Sequence, residues 1–425
     1  MSRDIGTTSR RILSVLAILA LLILVATAPV AANSANVRLI KDIAPGPTGS
    51  GIKASMVDVG GTTYFAANDR THGSELWKTD GTRAGTVMVK DINPGSKGSR
   101  PFNITAAGGI VYFGADDRTH GLELWRSDGT ETGTVLVKDI NPGPDWSGMY
   151  DITGVGNVIY FEAVDGIHGW ELWRSDGTKA GTLMVKDINP MMGALRRGGN
   201  LKLTAIGDTV YFWADDGTHG NEVWKSDGTE DGTAMVKDIS PGQTYGGLSD
   251  ITAVGSTLYF SDDDGIHGNE LWRSDGTQAG TVMVKDIWPG GSPDPASSDP
   301  GSLTDVGGTL YFSADDGTHG RALWRSDGTE AGTVMVKDIW PGKKASSPDC
   351  LTPIGGTVYF SADDGTHGAE LWKSDGTEAG TVMVTDLYRG KQGSAPMAIT
   401  DLAGTAFFSA TTPATGRELW AVATT

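Results

Sequence analysis

Between residues 36 and 425, short apolar runs alternate with turn-forming clusters, and no apolar stripe of helical period appears. The stretch around residue 320 displays the pattern. Strand-like runs at Ser302 to Val306, Thr309 to Ala314, Arg321 to Ser326 and Thr333 to Ile339 are separated by Gly307-Gly308, Asp315 to Gly320 and Asp327 to Gly332. Aspartate-glycine between β-rich runs predicts hairpins, because the tightest hairpin turns need positive φ. Runs such as Val334-Met335-Val336 are apolar on both sides of the pleat, which predicts sheets covered on both faces.

This four-strand pattern recurs. Trp77, Trp125, Trp173, Trp224, Trp272, Trp324, Trp372 and Trp420 are spaced 48, 48, 51, 48, 52, 48 and 48 residues apart. A Lys-Asp-Ile segment closes the units, with its aspartate at Asp42, Asp91, Asp139, Asp187, Asp238, Asp286, Asp338 and, in variant form, Asp386. Four-stranded units repeated radially make a β-propeller, which leaves only short protected edges. The predicted fold is therefore all-β: an eight-bladed propeller with blades near 52–92, 103–140, 151–188, 201–239, 250–287, 302–339, 350–387 and 397–423. The eighth unit ends after its third strand, and a spare fourth strand lies at residues 36–43. That strand is predicted to complete the last blade and close the ring.

The phrase Glu-Leu-Trp-x-Ser-Asp-Gly-Thr, as at Glu123 to Thr130, resembles the ELWxxDGT repeat of exported, mostly bacterial proteins. The resemblance covers nearly all of residues 36–425 and implies a propeller-like repeat, without implying an activity. Val223 replaces the leucine in the fourth unit and Ala322 the glutamate in the sixth, so that glutamate is not required in every blade.

The N-terminus places Arg10 and Arg11 before an apolar run, Ile12 to Ala28, followed by Pro29-Val30-Ala31-Ala32. This reads as a signal peptide over 1–32 and predicts a secreted or cell-surface protein. A membrane role arises only if that segment is retained as an anchor. The net charge of −18 disfavours nucleic acid and anionic lipid, and suits Ca²⁺ or a basic partner. With Cys350 as its one cysteine, the chain forms no intrachain disulfide.

Candidate chemistry concentrates on one face, where the inter-blade links and the turns between second and third strands open together. The links vary most in sequence, and variable loops on a regular scaffold are where binding specificity resides. Aromatic residues outside the repeat consensus are the predicted binding residues: Trp146, Tyr150, Trp170, Trp213, Tyr245, Trp288, Trp340 and Tyr388. Such rings stack on sugars or anchor a protein partner; packing between blades is the competing role. Arg196, Arg197, Lys343 and Lys344 form the basic doublets of the links.

His72, His120, His168, His219, His267, His319 and His367 each occupy one turn of that face. One blade apart, they cannot share a metal, and each is expected to bond its own hairpin. Asp263-Asp264, Asp315-Asp316 and Asp363-Asp364, with Asp275, Asp327 and Asp375 in the other turns, offer oxygen ligands for calcium, although no twelve-residue calcium loop occurs. No cofactor is required by the sequence; Ca²⁺ is the one it could accommodate. No nucleophile elbow, zinc-protease motif or phosphate loop is present. Carboxylates that recur blade after blade fit a framework better than an active site, which needs asymmetry.

The reading favoured is an extracellular binding or scaffold protein without catalytic residues, engaging a glycan, an envelope polymer or a protein through its variable links. Two alternatives stand beside it. One is a secreted hydrolase of glycans or phosphate esters at the channel mouth, marked by a carboxylate pair without counterpart in other blades. The other is a calcium-linked structural component of the envelope.

Overall fold

A computed structural model describes residues 37–52, 56–190, 203–242, 250–290 and 296–423. The signal-peptide segment, Tyr245, Arg196 and Arg197 lie outside the described residues. Eight antiparallel sheets of four strands each follow one another along the chain. In the sixth blade the strands are Gly301–Val306, Thr309–Asp315, Arg321–Ser326 and Val334–Lys337, within two residues of expectation at most ends. The fourth strand stops earlier than its apolar run suggests, because Asp338 and Ile339 turn into the next link.

Ring closure occurs as the strand count requires. The strand Arg38–Lys41 pairs antiparallel with Gly416–Ala423, so the last blade has the order closing strand, third, second, first. Eight apolar clusters hold the ring, each shared by two consecutive blades. At the closure, Ile40 and Ile43 pack with Phe65 and Trp77 of the first blade and Phe407 and Leu419 of the eighth. Second strands such as Thr309–Asp315 are buried over five consecutive positions, as a blade covered on both faces demands.

Two polar devices tie blade to blade. In every blade but the seventh, the lysine at the end of the outer strand reaches the next blade's third-to-fourth turn: Lys41 Nζ donates to the Thr86 carbonyl at 2.6 Å, and Lys138 Nζ to that of Thr182 at 2.8 Å. Several of these lysines also stand over the next blade's tryptophan, as Lys138 does over Trp173 at 5.3 Å. The seventh blade has Thr385 in place of this lysine, and the eighth unit lacks the turn it would reach.

The second device is the glutamate of the Glu-Leu-Trp phrase. Glu75 is fully buried and accepts hydrogen bonds from the backbone N–H of Ile92, Asn93 and Ser99 and from the Ser99 hydroxyl. It grips both ends of the outgoing link. Glu370 does the same with Leu387, Tyr388 and Ser394. Blade six, with Ala322, lacks this clasp; there the Ser346 hydroxyl donates instead to the Arg321 carbonyl at 3.1 Å.

Candidate functional site on blades two and three

The link into the third blade is held rigidly. Glu123 accepts from Ile140 N–H at 2.9 Å, Asn141 donates through Nδ2 to the Trp146 carbonyl at 3.1 Å, and Ser147 donates from N–H and hydroxyl to the Leu122 carbonyl. This places Trp146 above the blade with 40% of its surface exposed. Gly148 follows at φ +79°, and the Trp170 indole lies directly against it, where a side chain would collide.

The result is a continuous run of rings. Trp146 meets Trp170 edge-on at 6.1 Å between centroids, Trp170 meets Tyr150 at 5.4 Å with a 35° tilt, and Tyr150 meets Phe102 of the second blade at 6.2 Å. Three of the eight aromatic candidates thus come together. Phe102, absent from that set, is the fourth ring. Its signal lay in its strand partner Gly114, whose missing side chain leaves room for the ring. Ile167, in the turn that leads into Trp170, is 82% exposed.

The remaining candidates divide differently. Trp213 is a correction: it is 1% exposed and meets Phe260 edge-on at 5.3 Å in the core between blades four and five. Strand alternation turns it into the blade interface, where other blades carry Ala66, Gly114 or Ser313. Trp288 and Trp340 are half-buried and rest on Gly317 and Gly365 in the next blade's histidine turn, a framework contact. Lys344 Nζ stands 5.0 Å from the Trp340 ring centroid. Tyr388 donates its hydroxyl to Gln392 Oε1 at 2.7 Å and its N–H to Glu370, which braces the link.

The histidines are staples. In each of seven turns the ring Nδ1 lies 2.7 to 2.8 Å from an aspartate Oδ2 three residues earlier, as in His168 and Asp165. The hydrogen bond to that aspartate raises each imidazole above its ordinary 6.5. The turn aspartates of the opposite face, such as Asp128, accept from the N–H and hydroxyl of Thr130 and so cap their own turns. Among the described residues, no group of three or more His, Cys, Asp or Glu side chains is placed to hold a metal ion.

Beside the rings, the first strands open into a cavity of about 300 Å³ lined by residues of blades two to six. Asn103 and Asp151 line it and directly follow Phe102 and Tyr150 of the ring array. Both residues adopt positive φ, 49° and 48°, in a bulge that recurs at Ser302, Cys350 and Ala398. The strand partner of Tyr150 is Glu162. Glu162 is 2% exposed, and neither carboxyl oxygen has a hydrogen-bond partner among the described residues. Burial, reinforced by the charge of Asp151, pushes its pKa up to about 9, so the group is uncharged at neutral pH. A second buried acid, Asp262, stands where seven blades have alanine; burial and then the charge of Glu222 raise it well above the ordinary carboxylate range.

No protein-family model and no curated protein matches the sequence. The fold is similar to solved structures of peptidases. A prolyl endopeptidase superposes with a TM-score of 0.52 at 15% identity, over 78% of this chain and 48% of that one. Prolyl oligopeptidase B from Galerina marginata gives 0.50 at 10% identity, over 85% and 53%. This chain therefore spans about half the length of these proteins. At such identity the likeness shows the fold alone.

Proposed function

We propose that the protein is an exported binding protein that holds a glycan, as a free or envelope polymer, against the rings Trp146, Tyr150 and Trp170. The observation that carries this reading is the convergence of three non-consensus aromatics into one array whose outermost ring, Trp146, is 40% exposed. Tryptophan and tyrosine present flat apolar faces that stack on the C–H faces of sugar rings. The framework is symmetric, whereas among the described residues such an array occurs at one blade junction. The signal-like N-terminus and the resemblance to ELWxxDGT repeats support export.

The test is binding of the chain to a broad panel of immobilised glycans, with and without a calcium chelator. Retention of one glycan class, lost in Trp146→Ala and Trp170→Ala, is the expected outcome. Retention unchanged in both variants would reject the array as the site. Chelator-sensitive self-assembly without glycan retention would favour the calcium-linked structural component.

One observation favours hydrolysis as a second reading: Glu162, buried near Asp151, stands where no other blade carries an acid. General acid catalysis requires that the acid reach the scissile bond. Release of reducing ends from a retained glycan, abolished in Glu162→Gln, would establish it; a bound glycan that stays intact would exclude it for that substrate.

A further inference from the structure

The cavity in the ring axis is lined by two inner-strand threonines that lack a bond three of their counterparts make. In blades three, six and seven an inner-strand threonine donates its hydroxyl to the next blade's inner strand: Thr153 to the Leu203 carbonyl at 2.8 Å, Thr304 to Leu351 at 3.2 Å, Thr352 to Ile399 at 3.1 Å. The equivalent Thr204 and Thr252 line the cavity, and their hydroxyls make no such bond among the described residues. Thr105 and Thr400 likewise make no such bond among the described residues; Thr204 and Thr252 are the two that line this ligand-sized space.

The rest of the lining suits a sugar. Asn103 and Asp151 add an amide and a carboxylate, while Ile104, Ile152 and Ile251 add apolar surface. Small-molecule sites combine an apolar wall with a few convergent polar groups, and a volume of about 300 Å³ lies at the lower end of their roughly 300–1,000 Å³ range. That is room for a single sugar ring. The Tyr150 and Phe102 rings precede the lining residues Asp151 and Asn103 in the chain, so the array and the cavity share the first strands of blades two and three.

We infer that this cavity is a chain-end subsite, which receives the terminal ring of an uncharged glycan whose following rings lie on Tyr150, Trp170 and Trp146. Asp151 and Asn103 take hydroxyls of the terminal ring, and Thr204 and Thr252 bond its other edge. The Asp151 carboxylate and the net charge of −18 select against uronic acids and sulfated or phosphorylated sugars. This inference rests on the array being the glycan site, and deepens it from surface adhesion to recognition of ends.

The test is titration calorimetry on the full chain with cellohexaose, maltohexaose and glucose as end-bearing probes and α-cyclodextrin as an endless glucan. A linear hexasaccharide is expected to bind at least tenfold more tightly than the cyclic one, with glucose competing. The double variant Thr204→Val/Thr252→Val should weaken linear binding about tenfold and leave cyclic binding unchanged, whereas Trp170→Ala should weaken both. Equal linear and cyclic affinity, with the threonine variant silent and Trp170→Ala still damaging, would overturn the end subsite while leaving the array reading intact. Absence of binding by every uncharged glucan would overturn both for this class of ligand.

Discussion

Glu418 of the last blade accepts two hydrogen bonds from Ser50, one from its backbone N–H and one from its hydroxyl, each 2.8 Å long, across 368 residues of sequence. Glu75 makes the same two contacts with Ser99 only 24 residues away. The junction that closes the ring is therefore built as an ordinary blade junction, with the N-terminal strand standing in for a missing fourth strand. Closure adds the Ile43 N–H bond to Glu418 and the Lys41 bond to Thr86.

Deletion of residues 36–43 should therefore open the ring. It removes Ile40 and Ile43 from the interface of blades eight and one. Burial of two such side chains alone contributes about 4 kcal/mol. Thermal unfolding should shift down by several degrees or lose its single cooperative transition. An unchanged melting temperature would refute closure by this strand.

The link clasps can be tested where the link carries no aromatic candidate. Glu75→Ala strands the N–H groups of Ile92, Asn93 and Ser99 in a buried site. Each unsatisfied group costs about 1–3 kcal/mol, so this substitution should be among the most damaging in the chain. Denaturant unfolding measures it directly; a loss below about 1 kcal/mol would show that the link holds without the clasp.

Gly129 sits at φ +86°, directly against the hydroxyl of Tyr64 in the preceding blade. Gly129→Ala introduces both backbone strain and a collision, so it should destabilise by roughly 1–3 kcal/mol. Tyr64→Phe combined with Gly129→Ala should recover part of the loss, which a double-mutant cycle would read.

The pH dependence of stability follows from the direction of each shift. Glu162 and Glu222 hold their protons more tightly in the folded chain, to about 9 and about 7 against an ordinary 4.5, chiefly because burial disfavours their charged forms. Their contribution is complete below pH 4.5 and is lost as pH rises through those values. The histidine staples act the same way above 6.5, since their folded pKa values are raised by the aspartate hydrogen bond. Aspartates such as Asp165 oppose this at the acid end: burial raises them, but hydrogen bonds from His168 and Ile167 outweigh it and leave them low, so their support is lost as pH falls below 3.8. Stability should peak between about pH 4 and 6.5 and decline toward pH 9. Glu162→Gln should flatten the alkaline limb, and Asp262→Ala should raise stability at pH 8, because it frees Glu222 of a buried neighbour. An alkaline limb identical in Glu162→Gln and the parent chain would contradict this assignment.

The blade framework was legible because its signals are local. Period-two runs and aspartate-glycine turns fixed the strand positions, and the spare segment at 36–43 fixed how the ring closes. Contacts one blade away were not legible, since they depend on which face of a strand meets its neighbour. Trp213 shows this: its place beside a histidine turn suggested exposure, yet strand alternation carries it into the core. Glu162 was hidden for the same reason, because an isolated acid in a strand reads as solvent-facing until its partner Tyr150 and the next blade cover it. Ala322 showed that the glutamate of the repeat phrase is not required in every blade, but its clasp of the link appears only once residues 17 to 24 positions onward are seen folded back on it.

If the glycan is held at the proposed array, binding is confined to one blade junction of an otherwise symmetric ring. The most direct measurement compares the affinity of the retained glycan for Trp170→Ala and Trp340→Ala. Both remove a half-buried indole from the link face, at blade three and at the link into blade seven. Trp170→Ala should lose at least tenfold and Trp340→Ala should change little, at equal fold stability. Equal losses in the two variants, or a loss confined to Trp340→Ala, would contradict it.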